Sequence, residues 1–240
     1  MKIRIKFRRF GTMKFLGHLD LMRYFQKAVR RAQIDICYSE GYSPHQIMSF
    51  AAPLGVGITS DGEYFDIEVN STMNTKQALE ALNATMVEGI EVTGYVALPD
   101  NAKTAMAIVA AADYRLTFKE GYESPCSTLE WQEHIRTLFS EQDSFTILKK
   151  TKKSEREVDL KPLVYKLSVE EDENGKPAFF LQVSTGSIDN IKPELVLASL
   201  YEKLGYTYDE RAIQIHRLEV YTRDDAGLLV SLLDLGTPIE

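Results

Sequence analysis

The chain has 240 residues, 44% apolar and 26% charged, the profile of an ordinary folded protein with room for one large domain or two small ones. No apolar run reaches the roughly 18 residues that a membrane span needs, and the start, MKIRIKFRRF, alternates charge with apolar residues instead of leading into a signal-peptide core, so a cytoplasmic protein without a membrane role is expected. The two cysteines, Cys37 and Cys126, have no CxxC spacing, which argues against a disulfide framework, a zinc site or an iron–sulfur centre held by this chain alone.

The net charge of −7 hides an asymmetry: residues 1–50 carry ten Lys/Arg against three acids, a net +7, and the remainder carries −14. Such polarity points to a polyanionic partner for the basic segment, or to solvated faces on one strand and one helix.

Ile3, Ile5 and Phe7 alternate with Lys2, Arg4, Lys6 and Arg8, which predicts a strand with one apolar and one basic face. A helix is expected from about His18, with Leu21, Phe25, Ala28, Val29 and Ala32 on one side and Arg23, Lys27, Arg30 and Arg31 mostly on the other. Ile34–Tyr38 reads as a second strand. Ser60-Asp61-Gly62 reads as a turn before a third strand, Tyr64–Val69. Thr75–Met86 reads as a short amphipathic helix with Asn74 or Thr75 as N-cap, and Ile90–Ala97 as a fourth strand. The order β-α-β-β-α-β is that of a split βαβ, or ferredoxin-like, domain.

Residues 102–112 suit a linking helix, after which the order repeats. Strands are expected at Tyr114–Lys119, Ser144–Thr151, Val164–Glu170, Ala178–Thr185 and Ile213–Thr222. Helices are expected at Leu129–Phe139 and Pro193–Leu204, the latter with Pro193 in its first turn and Gly205 just past its end. Asn174-Gly175 marks a hairpin. The expected class is therefore α+β with two ferredoxin-like (split βαβ) domains in tandem: 1–100, basic; 101–112, a linker helix; 113–223, the second domain; and 224–240, a leucine-rich tail that either caps its own fold or docks on a partner.

The chemistry concentrates near the basic segment. Phosphates would be held by Arg8, Arg9, Lys14, Arg23, Lys27, Arg30 and Arg31. The stretch YSEGYSPHQIMSF has the composition of a recognition loop, with Tyr38, Ser39, Glu40, Tyr42, Ser43, His45 and Ser49 as substrate contacts and His18 and Asp20 shaping the same site. His18 and His45 are weak candidates for acid–base catalysis, and each has a structural alternative in packing or capping. The run Lys149-Lys150-Thr151-Lys152-Lys153 is a solvated loop or an extension of a nucleic-acid surface. A Walker lysine, a GxSxG elbow and an RNP-type aromatic signature are all missing.

Phe15–Arg23, Arg30-Arg31-Ala32, Tyr38–His45, Ser49-Phe50-Ala51 and Gly62–Asp66 together resemble the signature of a bacterial radical-SAM-associated family. Its members are encoded beside, or fused to, a radical SAM protein with a cobalamin-binding-like region, near ribonuclease G and ribosomal protein genes. The likeness is dense over residues 1–70 and extends to about 220; Gly17 and Ser43 stand where the family has Ser and Asn. It carries no catalytic residues. It implies that this chain binds no cofactor itself, while a radical SAM partner would carry an iron–sulfur cluster, S-adenosylmethionine and, through its cobalamin-type region, cobalamin. The leading expectation is an accessory RNA-binding protein that presents tRNA or rRNA to that enzyme. The alternatives are a metal-independent endoribonuclease resembling CRISPR repeat-processing enzymes, and a protein-interaction module that grips the radical SAM partner or a ribosomal protein.

Overall fold

A computed structural model describes residues 1–150, 155–187 and 189–240. The chain is a mixed α/β fold in which antiparallel sheet predominates and helices are few. It divides into two units: residues 1–111 with 217–240, and residues 112–216.

The first unit begins with β1 (Lys2–Arg9), α1 (His18–Arg31), β2 (Met48–Phe50), β3 (Thr59–Glu68), α2 (Thr75–Asn83), β4 (Ile90–Leu98) and a single turn, α3 (Ala105–Ile108). β1 lies between β4 and β3, antiparallel to both, and β2 pairs antiparallel with β3. The period-two pattern of β1 turns Ile3, Ile5 and Phe7 to the core with no exposure, and α1 covers them with Leu21, Phe25, Ala28 and Val29. Phe7, Phe25, Phe50 and Phe65 form one aromatic cluster, with ring centroids 4.6 Å apart for Phe7–Phe25 and 5.0 Å for Phe50–Phe65. Burying each such side chain stabilises the fold by about 1.5–3 kcal/mol.

The opposite face of β1 is polar, and around Arg4 and Lys6 it is closed. Arg4 is fully buried and grips Asp66 through two bonds of 2.8 and 3.0 Å, while the Ala105 N–H donates to the same carboxylate at 2.6 Å. Lys6 meets Glu219 at 2.6 Å, and the Tyr64 hydroxyl donates to the other Glu219 oxygen at 2.7 Å. The C-terminal segment covers this face. A short strand, Leu229–Ser231, leads into a turn, Leu232–Leu235, in which Leu232 is unexposed and its carbonyl accepts from Arg4. Thr237 and Ala97 exchange two backbone hydrogen bonds of 2.9 Å along the edge of β4, and Ile239 bonds Thr75. The leucine-rich tail therefore caps its own sheet and pairs an edge that would otherwise be open.

The second unit opens with β5 (Ala111–Phe118) and continues through α4 (Thr128–Ile135), β6 (Thr146–Lys150), β7 (Glu155–Asp159), β8 (Val164–Glu171), β9 (Pro177–Ser184) and α5 (Pro193–Leu204). β10 (Ile213–Arg223) begins in this unit and ends in the first, where β11 (Leu229–Ser231) pairs with it. The strand order is β10-β5-β9-β8, and β6–β7 form a separate hairpin. Trp131 is buried against Phe179 and Tyr201, with centroids 5.1 and 5.2 Å away. α5 starts on Pro193 and stops on Gly205 at φ 74°, as its sequence foretells. Among the described residues no helix is long and apolar enough to cross a membrane.

Four local expectations are corrected. Ile34–Tyr38 is not a strand: it makes only single bridges, Ile36 to Val69 and Tyr38 to Gln46, because the chain folds back on itself and leaves β2 to pair with β3. Ser60-Asp61-Gly62 is not a turn but lies inside β3. Gly62 serves close approach, since a Cβ there would come within 2.7 Å of the Glu219 backbone. Only Ala105–Ile108 of the alanine-rich stretch 102–112 is helical; Ala111 and Ala112 are buried in β5, so tertiary burial overrides alanine's helix propensity. The helix expected over Leu129–Phe139 stops at Ile135 and widens into a π-turn, Arg136–Ser140. Thr151, Lys152 and Lys153 of the basic run lie outside the described residues.

Candidate nucleic-acid interface

α1 begins at His18, with Gly17 as an extended N-cap whose carbonyl accepts from Leu21. Asp20 sits in the first turn, where a carboxylate complements the helix dipole, and Arg23 reaches it at 3.4 Å across an exposed pair. The His18 ring stands edge-on to Phe50 with centroids 5.4 Å apart, so it packs on the aromatic core. Lys27, Arg30 and Arg31 project from the exposed side of α1, with no ion-pair partner found among the described residues. Lys14 lies over the Phe15 ring at 5.4 Å, and Phe15 itself is exposed.

The loop after α1 is a closed tip. The Ser39 N–H donates to the His45 carbonyl at 2.8 Å, Ser39 Oγ and His45 Nδ1 stand 2.8 Å apart, and the His45 N–H donates to Ser39 Oγ at 3.1 Å. Gly41, at φ 103°, turns the tip and leaves Glu40, Tyr42 and Ser43 in solvent. Tyr42 is fully exposed and Tyr38 half exposed, so two aromatic faces are open. Gln46 fastens the loop to the helix: its Nε2 donates to the Gln26 carbonyl at 3.2 Å and to the Tyr38 hydroxyl at 3.5 Å. Its other amide atom, Oε1, is buried without a partner among the described residues. His45 and Ser49 also share the wall of a cavity of about 180 Å³, together with Lys2, Asp66, Lys103 and Thr104.

Seven cations stand as phosphate contacts in the sequence reading, and the structure sorts them. Arg8 is exposed but already engaged by Asp61 at 2.7 Å and Glu91 at 3.2 Å, which raise its pKa through the Asp61 hydrogen bond first. Arg9 departs from the expectation altogether. Two residues on from Phe7, its side chain shares the inward face of β1 with Ile3, Ile5 and Phe7, where it is 1% exposed and donates to the carbonyls of Leu16, Gly55 and Ile58. Burial lowers its pKa, with Glu63 opposing and Arg217 reinforcing. It braces a loop and does not face a ligand. Gln46, which ties loop to helix, is missed by sequence reasoning because a buried glutamine has no spacing of its own to announce it.

Residues 2–193 match the family described as "Uncharacterized protein conserved in bacteria (DUF2344)". The chain belongs to that family. No curated protein matches the chain. Among solved structures, one titled "Crystal Structure of a Cbf5-Nop10-Gar1 Complex" is similar at 11% identity and a TM-score of 0.48, covering 93% of this chain and 50% of that one. The chain thus spans about half the length of that solved chain.

Proposed function

We propose that this DUF2344 protein is an RNA-binding accessory protein that presents tRNA or rRNA to a radical SAM modification enzyme. The observation that carries the reading is the neighbourhood of α1 and the Tyr38–His45 tip. Lys27, Arg30 and Arg31 are exposed and unneutralised among the described residues, and the loop bearing exposed Tyr38 and Tyr42 is bonded to the same helix through Gln46 and Gln26. Cations beside open aromatic faces suit a single-stranded or looped RNA, with phosphates on the helix and bases stacking on the tyrosines. His45 and Ser49 would contact the substrate, and His18 and Asp20 would hold the start of the helix. The radical SAM partner, and with it the iron–sulfur cluster, S-adenosylmethionine and cobalamin, rests on the family resemblance in residues 1–70.

We also propose that each unit is a split βαβ. The first unit's strands lie in the order fourth, first, third, second, and the second unit's order β10-β5-β9-β8 is the same once the β6–β7 hairpin is set aside. These orders support the reading.

The test is RNA affinity against salt for the wild type and for Arg30→Ala/Arg31→Ala. The reading expects weaker binding and a log–log salt slope shallower by about 0.7 per lost phosphate contact. Unchanged affinity and slope would refute it.

A further inference from the structure

The second unit holds a cavity of about 220 Å³ where the turn after β5, the end of α5 and the approach to β10 meet. Its walls are phenols: Tyr122, Tyr201, Tyr206 and Tyr208, above Phe118. The Tyr201 ring stands 6.2 Å from Tyr206 at 71° and 5.4 Å from Tyr208 at 77°, so the rings form adjoining walls of a box and not a stack. Tyr201 and Phe118 are buried, while Tyr122, Tyr206 and Tyr208 are half-buried and border the mouth. A flat base would need parallel faces. Rings set nearly at right angles suit a compact, rounded ligand.

Charge narrows the class. Glu194, Glu210 and Asp209 act on Tyr208, the Cys126 thiol and Glu130 act on Tyr206, and the Arg211 guanidinium acts on Tyr122, so carboxylates outnumber cations around the rings. Glu123 and Asp209 line the cavity, already engaged by Lys176 at 2.8 Å and Arg211 at 2.9 Å, and Glu194 lies 4.0 Å from Lys192, so the attraction rests first on the ring faces and only then on the surrounding carboxylates. One Glu194 oxygen is buried without a hydrogen-bond partner among the described residues, and so is the Tyr208 hydroxyl. Aromatic faces attract cations through their quadrupole, most strongly when water is excluded.

We propose that the Tyr122–Tyr201–Tyr206–Tyr208 cavity binds an organic ammonium cation, a quaternary or methylated amine head group. The ligand is either a free amine or a methylated side chain of a protein, and the chemistry of the head group is the same.

Trp131, the sole tryptophan, lies 5.2 Å from the Tyr201 ring and 6.2 Å from Tyr206, so its fluorescence reports the cavity. The experiment titrates the full chain with tetramethylammonium, choline, a trimethyllysine peptide and 3,3-dimethylbutanol, the neutral shape-mimic of choline, with sodium chloride matching ionic strength. The expected result is a saturable response to the cations and binding roughly tenfold weaker for the neutral mimic. Tyr206→Phe, which keeps the ring, is expected to bind like the wild type, and Tyr206→Leu to lose about tenfold. Should Tyr206→Leu lose its thermal transition, Tyr122→Leu, at a half-buried turn position, replaces it. Tighter binding of the peptide than of choline assigns the head group to a protein side chain, the reverse to a free amine, and both support the site. A response no larger than that to sodium chloride, or equal binding of the neutral mimic, overturns the proposal.

Discussion

Replacing Asp66 with Ala isolates the polar interior of the first unit. Asp66 accepts three bonds, two from the Arg4 fork and one from the Ala105 N–H, and Arg4 has no exposed surface. The substitution leaves a guanidinium inside the fold with the Leu232 carbonyl at 3.1 Å and the Lys103 carbonyl at 3.5 Å as its remaining acceptors. Breaking a buried pair from one side costs about 3–5 kcal/mol, most of it the solvation that the surviving charge cannot recover. Replacing both partners with apolar residues, Arg4→Met with Asp66→Leu, removes both charges and is expected to cost far less, or to stabilise. Hydrogen exchange of the Ile3–Phe7 amides reads this locally. A loss of 3–5 kcal/mol speeds exchange by roughly 10²- to 4 × 10³-fold, because each 1.4 kcal/mol is a factor of ten. If Asp66→Ala costs under about 1 kcal/mol, as an exposed pair would, or if the double replacement is no better than the single one, the assignment of Asp66 as the counter-charge of a desolvated Arg4 is wrong.

Two further outcomes follow from the same geometry. Deleting Leu232–Glu240 removes a fully buried leucine and the partner of the β4 edge, so the first unit should lose at least about 2–5 kcal/mol and the Ala97 amide its protection, read by hydrogen exchange; an unchanged Ala97 rate would mean the tail does not hold that edge. Burial, helped by Glu194, Glu210 and Asp209, pushes the Tyr208 phenol up to about 12, and burial raises Tyr64 and Tyr201 as well. A phenol that holds its proton more tightly when folded contributes stability that is complete below its unfolded value of about 10 and is lost as pH rises through the folded value. Unfolding midpoints should therefore fall between about pH 10 and 12, with phenolate absorbance at pH 11 short of full ionisation until denaturant is added; a flat profile across that window would contradict the shift.

Regular periodicity made much of the fold legible. The alternation in β1, the 3.6-residue stripe of α1 and the Pro193 and Gly205 ends of α5 each act locally, and the structure keeps them. The misreadings arise where a distant segment decides. Gly62 looks like a turn until β10 brings the Glu219 backbone against it, and Ala111-Ala112 look helical until burial in a sheet outweighs propensity. For the candidate site the sequence placed the loop and helix together but not the Gln46 contact that fastens them; the inward turn of Arg9 was legible in the alternation, since it shares the parity of Ile3, Ile5 and Phe7.

Charge composition marks a surface for an anionic partner only where the fold leaves the charges without acids of its own. A strand face carrying Lys2, Arg4, Lys6 and Arg8 would repel itself unless neighbouring elements supplied acids, and they do: Asp66 and Asp61 from β3, Glu91 from β4 and Glu219 from β10. Those acids lie beyond residue 50, so part of the contrast between a +7 segment and a −14 remainder records pairing within the fold. α1 is different. Its outward cations face solvent, and Asp20 is the only acid in the helix. With Arg23 held by Asp20 and Arg9 buried, Lys27, Arg30 and Arg31 are the core of what is left for phosphate, enough for a single-strand salt slope of about 2 at 0.7 per contact. A much steeper slope would place the main RNA surface elsewhere on the chain, and a slope near zero would mean that these cations serve only to solvate a helix.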